Sequence, residues 1–182
     1  MTSIYRRRLV GAAFFLPLTQ GAWAEVCGKP TARQTEGPFF KPESPQRITL
    51  IEPASRAPRL TVMGQVLDRD CKPVANALLD FWHADDNGDY DNRGFRYRGH
   101  VFTDAQGRYR FRTIQPGLYP GRTRHYHVKV QAPGQRLLTT QLYFPGEAFN
   151  ARDDFFHREL LMKVADPGPG MAARFDFVID MR

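Results

Sequence analysis

From about residue 59 onward, apolar and polar positions alternate in short runs that are broken by turn residues. Residues 60–67 read as a strand, followed by a turn through Asp68, Asp70 and Pro73. Residues 77–83 read as a second strand, with Leu79, Phe81 and His83 on one face and Leu78, Asp80 and Trp82 on the other. Residues 100–103 and 108–113 flank Asp104-Ala105-Gln106-Gly107, a hairpin turn. Residues 125–131 and 138–144 make another pair around Pro133-Gly134. An acidic loop (residues 85–89) and a Pro/Gly-rich loop (residues 115–124) interrupt the series. Residues 153–162 predict a short helix, and residues 174–179 a closing strand. This spacing predicts an all-β fold: an antiparallel β-sandwich with long loops and at most one or two short helices.

At 182 residues the chain holds one domain, two at most. With 42% hydrophobic and 25% charged residues it is expected to be globular rather than disordered. No apolar run reaches the roughly 18 residues that a spanning helix needs, so a membrane-embedded protein is not expected. No fixed-period repeat points to a solenoid or propeller.

The first two dozen residues have a composition of their own. Arg6, Arg7 and Arg8 precede an apolar run over residues 9–16, and Ala22-Trp23-Ala24 offers a small-x-small cleavage site. Residues 1–24 therefore read as a signal peptide, of the general secretory or twin-arginine kind, for a periplasmic or secreted protein. Residues 25–58 form an irregular extension before the domain at 59–182. Losing residues 1–24 removes three arginines and no acid, which lowers the formal net charge of +7 by three. What remains is a weak case for binding nucleic acid. In an exported chain the two cysteines, Cys27 and Cys71, suggest a disulfide, with two buried free thiols as the alternative.

Candidate chemistry gathers around His125-Tyr126-His127. Side chains two apart on a strand share a face, so both imidazoles can address one atom. Alone, that pair also fits a zinc- or copper-binding surface. Tyr90 and Tyr119 both lie in loops, where a fold places functional groups. A phenol ligates only a strongly acidic metal, and Fe(III) is one. The Asp85–Asp91 stretch looks like a calcium loop at first, but it lacks the glutamate at the twelfth position and its flanks are strands.

Together these motifs resemble the intradiol ring-cleavage dioxygenases, the family of protocatechuate 3,4-dioxygenase and catechol 1,2-dioxygenase. The resemblance runs through Thr35-Glu36-Gly37-Pro38, Gly64-Gln65-Val66-Leu67-Asp68, Trp82-His83-Ala84-Asp85, Gly88-Asp89-Tyr90 and Phe111-Arg112-Thr113-Ile114-Gln115-Pro116-Gly117. It continues through Gly121-Arg122, His125-Tyr126-His127 and residues 138–144. The exported branch of the family is most similar, because it too carries cysteines near the mature N-terminus and after the first core strand.

The resemblance implies one mononuclear non-haem Fe(III), held by Tyr90, Tyr119, His125 and His127 with a solvent hydroxide. A catechol would bind it through both oxygens, with Tyr119 able to accept a proton, and O2 would open the ring to a cis,cis-muconate-type diacid. Arg122 and Gln141 match the family residues that stabilise charge on the substrate. A homo-oligomer is compatible with the family. In place of the family's frequent Arg-Pro-Ala this chain has Arg122-Thr123-Arg124, and Arg112, Arg122 and Arg124 together suggest a substrate carrying a carboxylate. Trp82 and His83 are expected to be structural, with Trp82 in the core. The rival from another class is a non-catalytic β-sandwich binding module, transthyretin-like or carboxypeptidase regulatory-like.

Overall fold

The computed structural model describes residues 27–165 and 171–181. The segment read as a signal peptide, residues 1–24, lies outside the described residues. Two sheets pack face to face. The first contains β1 (Arg59–Asp68), β4 (Arg108–Ile114), β7 (Lys163–Val164), β8 (Met171–Arg174) and β9 (Phe177–Ile179). The second runs in the order β3 (Arg98–Phe102), β2 (Leu78–Trp82), β5 (His125–Gln131), β6 (Leu138–Tyr143), all antiparallel. Inward-facing residues of β1 and β4 (Val62, Val66, Phe111) meet those of β2, β5 and β6 (Leu79, Phe81, Val128, Val130, Leu142) in one apolar core. Among the described residues no helix is long and apolar enough to cross a membrane.

Three features depart from the strand pattern. β8 and β9 join β1 in parallel along a single edge, which residue alternation cannot reveal. They are one strand interrupted where Asp176 turns its carboxylate to accept the Gln65 N–H at 2.9 Å. The helix expected over residues 153–162 is absent. Two short 3₁₀ turns, Ala148–Ala151 and Arg158–Leu160, stand in its neighbourhood. Here Asp153 turns inward to accept the Thr123 N–H at 2.9 Å, and Met162 N–H donates to the Tyr143 carbonyl at 2.9 Å. Those bonds to Thr123 and to β6 compete with helical ones.

The residues before β1 form straps. Residues 45–50 bridge the exposed edges of both sheets, pairing with His100 of β3 and with Arg112 of β4. Residues 31–41 cross the outer face of the second sheet, anchored by Gln34 N–H to the Thr139 carbonyl (2.9 Å) and by Thr140 Oγ1 to the Ala32 carbonyl (2.7 Å). Cys27 is disulfide-bonded to Cys71, 44 residues away. In the chain-entropy model a loop of this size contributes about 4 kcal/mol. Because of the straps, the second sheet is buried on both faces. One face is the core and the other holds the candidate site.

Candidate active site

The site is a row of residues across the second sheet. Registers pair Arg98 with Trp82, Trp82 with His127, and His127 with Gln141. Directly paired residues share a face, so all four project from the side opposite the apolar core. His125 lies two residues earlier on β5, on the same face, opposite Tyr143. The Trp82 ring stacks on His127, with centroids 4.9 Å apart and planes within 7°. Trp82 is thus buried as expected, but against the site and not in the core. His83 points the other way, between the Ala84 carbonyl and Thr113 Oγ1 (2.7 and 2.6 Å), as a structural residue.

The two tyrosines arrive on loops that are tied together. Asp85 folds the first loop by accepting the Asn87 and Asp89 N–H groups (2.8 and 3.0 Å) on its carboxylate. Its carbonyl then accepts Gly117 N–H of the second loop at 2.7 Å. The loops touch backbone to backbone at Gly88, where a Cβ would lie 2.2 Å from the Leu118 carbonyl oxygen. Tyr90 and Tyr119 consequently pack edge to face, centroids 5.7 Å apart. Phe39, carried by the covering strap, stacks on Tyr90 at 4.4 Å and meets Tyr119 edge-on at 5.4 Å. Gly37 (φ +71°) lets that strap approach His127, because a Cβ would sit only 3.3 Å from the ring carbon Cε1.

Three of the four predicted ligands therefore meet atom to atom, and the fourth, Tyr119, packs on Tyr90. Tyr90 Oη lies 3.3 Å from His125 Nε2, which lies 3.1 Å from His127 Nε2. His125 Nδ1 faces the Thr123 carbonyl at 2.7 Å, so it carries the proton and Nε2 keeps its lone pair. His127 Nδ1 is buried without a partner. Burial, reinforced by the Arg122 charge, lowers the pKa of His125 to about 4. Burial and then His125 hold His127 well below the usual histidine range. Both imidazoles are neutral at pH 7 and available as donors. Burial pushes the Tyr90 phenol up, against the lowering influence of Arg122 and Arg98. Only a strongly acidic cation would displace that proton. No group of three His, Cys, Asp or Glu comes together among the described residues. A cation here would thus be held by two imidazoles and two phenols, a set that suits hard trivalent iron better than zinc.

Arg122 and Gln141 are joined beside this cluster. Arg122 Nη2 donates to Gln141 Oε1 at 2.7 Å, and Arg122 Nε donates to both Asp153 oxygens at 2.9 and 3.1 Å. Its guanidinium lies over the Phe155 ring, 4.7 Å from the centroid. Gln141 Nε2 donates to the Thr35 carbonyl at 3.0 Å, fastening the strap. Asp153, from sequence expected only to open a helix, fixes the arginine from an irregular segment.

The other arginines do not converge. Arg124 is engaged by Glu147 at 2.7 Å and by the Pro116 carbonyl at 2.9 Å. Arg112 projects outward from β4, in the opposite sheet. The suggestion of a carboxylate-bearing substrate drawn from Arg112, Arg122 and Arg124 therefore loses its basis, since Arg112 faces away and the other two already have acidic partners.

A family model described as dioxygenase matches residues 35–181. The protocatechuate 3,4-dioxygenase beta chain of Burkholderia cepacia is 39% identical over 151 residues, 66% of this chain and 64% of that one. The chain belongs to the intradiol ring-cleavage dioxygenase family. Catechol 1,2-dioxygenase 2 of Acinetobacter lwoffii is 33% identical over 69% of this chain and 54% of its own. The chain thus spans between about half and two thirds of the length of these curated relatives. Among solved structures, the dioxygenase domain of a dioxygenase carbohydrate-binding protein fusion from Streptomyces sp. SirexAA-E superposes with TM-score 0.82 at 56% identity. That match covers 85% of this chain and 100% of that one. The 3-chlorocatechol 1,2-dioxygenase of Rhodococcus opacus 1CP gives TM-score 0.76 at 28% identity, over 82% of this chain and 72% of its own. Membership in the intradiol dioxygenases, with Tyr90, Tyr119, His125 and His127 all present, does not favour the non-catalytic binding module.

Proposed function

We propose that the protein is an exported, iron(III)-dependent intradiol dioxygenase that cleaves a catecholic ring with O2, placing both oxygen atoms in a cis,cis-muconate-type diacid. The observation that carries this reading is the meeting of Tyr90 Oη and His127 Nε2 at His125 Nε2, at 3.3 and 3.1 Å, with Tyr119 packed on Tyr90. Bound iron would supply a Lewis acid for both catechol oxygens and draw electron density from the ring. The chain's own residues do the rest. His125 and His127 enter as neutral donors. The Tyr119 phenol oxygen, beside Tyr90, would serve as the acceptor for a catechol proton. Arg122, held rigid by Asp153 and Gln141, keeps a fixed cation beside the negative charge that develops on the opening ring, which is electrostatic preorganisation. Phe39 and Trp82 line the site with rings stacked on Tyr90 and His127. The basic, acid-free N-terminus and the Cys27–Cys71 bridge support a location outside the cytoplasm.

The test is a visible absorption spectrum of the purified iron-loaded protein, before and after anaerobic addition of catechol, followed by O2 uptake. A broad phenolate-to-iron band that shifts with catechol and disappears or moves strongly in Tyr90→Phe and Tyr119→Phe is the expected result. A protein that binds Fe(III) yet stays colourless refutes the four-ligand centre.

A further inference from the structure

Arg98 opens β3 at the end of the Arg98–Trp82–His127–Gln141 row. It is 2% exposed. A buried arginine normally has a carboxylate partner, yet no ion pair to Arg98 exists among the described residues, and its Nη2 is buried without a hydrogen-bond acceptor. Its two bonds go to backbone carbonyls. Nε donates to the Asp91 carbonyl at 2.9 Å and Nη1 to the Phe39 carbonyl at 2.6 Å.

Both acceptors belong to what holds Tyr90. Asp91 is the next residue in the chain, and Phe39 carries the ring stacked on the Tyr90 phenol. One planar fork thus grips the ligand loop and the covering strap, with Tyr90 between them. A lysine cannot span two acceptors with that fixed geometry. The bonds alone would need only neutral donors, so the unpaired charge requires its own explanation. The acidic groups around Arg98 are Asp91, Tyr90 and Asp80, and Arg98 shares the Tyr90 phenol with Arg122, whose charge acts on it more strongly. Asp91 is already committed elsewhere, since its carboxylate accepts the N–H groups of Arg93, Gly94 and Arg96. Asp80 accepts the Ser44 hydroxyl at 2.7 Å. The anion left for Arg98 is the phenolate that Tyr90 becomes as a metal ligand.

We propose that Arg98 is a positioning residue of the metal centre, whose fork fixes Tyr90 between loop and strap and whose unpaired charge balances the ligated phenolate. This rests on the four-ligand reading above.

The experiment compares wild type, Arg98→Met and Arg98→Lys by three readouts: thermal melting of the metal-free protein, Fe(III) retention against a chelator, and the energy of the phenolate-to-iron band. Without the cation the phenolate electrons lie higher, so the band of Arg98→Met moves to longer wavelength. Its iron affinity falls on the order of tenfold or more, as for other groups that orient metal ligands, while the metal-free protein melts within a few degrees of wild type. Arg98→Lys keeps the charge and loses the fork, so its band stays near wild type with affinity only partly recovered. The proposal is overturned if the Arg98→Met band does not move, or if affinity falls only in step with melting. Should Arg98→Met not fold, Arg98→Gln carries the same arms. A wild-type protein without any band refutes the metal centre itself, whereas a wild-type band unmoved by Arg98→Met refutes only the role of Arg98.

Discussion

At the scale of single residues, the site depends on side chains that hold other side chains. Asp153 is the clearest case. Its carboxylate, 1% exposed, accepts from Arg122 Nε, Thr123 N–H and Phe155 N–H. Replacing it with alanine leaves a largely buried guanidinium uncompensated, which typically costs about 3–5 kcal/mol. Asp153→Ala is therefore expected to lower the urea unfolding free energy by that much, far more than a surface pair such as Lys29–Glu159, which contributes roughly 0–1 kcal/mol. A loss below about 1 kcal/mol would show that Arg122 is held by other means. Arg122 and Gln141 were legible in the sequence because they sit in matched motifs. Asp153, which lies 31 residues from Arg122, was not, because its partners are set by folding and by no local spacing.

At the scale of the element, β5 separates two tasks by parity. His125 and His127 face the site, whereas Tyr126 and Val128 face the core. Tyr126 donates its hydroxyl to the Ile114 carbonyl at 2.8 Å, inside the protein. Tyr126→Phe strands that buried acceptor and is expected to cost about 1–2 kcal/mol in stability. Iron affinity and the visible band should stay at wild-type values, which contrasts with Tyr90→Phe. A shifted band in Tyr126→Phe would mean that the two faces of β5 are not independent. Alternation made the six longer strands legible to within about two residues, because each has one face on the core. It also placed Trp82 with Leu78 and Asp80 correctly, yet assigned that side to the core. Both faces of the second sheet are buried, one by the first sheet and one by residues 31–41. Hydrophobicity alone cannot tell which is which. Arg98 escaped notice for the same reason: its partners Phe39 and Asp91 come from a strap and a loop without period.

At the scale of the whole molecule, burial of neutral imidazoles ties stability to pH. Burial lowers the pKa of His83 from 6.5 to about 4, the Ala84 carbonyl opposing it only partly. His125 is lowered likewise to about 4, and His127 is held well below the usual histidine range. In the unfolded chain each imidazole takes up a proton near pH 6.5, whereas the folded protein resists protonation down to about 4. The unfolded state therefore binds more protons across that window. Stability is fully present above pH 6.5 and is lost as pH falls toward 4. Each imidazole contributes about 1.4 kcal/mol per pH unit within the window, so His83 alone accounts for roughly 3 kcal/mol. Asp80, raised by burial, acts in the opposite sense over the window above the ordinary aspartate range. Urea unfolding of the metal-free protein at pH 7.5 and 5 measures the slope. Wild type is expected to lose several kcal/mol between the two. His83→Gln removes one titrating group 1% exposed behind the site and should lose about 2 kcal/mol less over the same interval. An unchanged slope in His83→Gln would mean that this imidazole takes up its proton at the same pH folded and unfolded, and so is protonated in the fold at pH 5. Its bonds to the Ala84 carbonyl and Thr113 would then have to be reassigned, because a doubly protonated ring would donate to both.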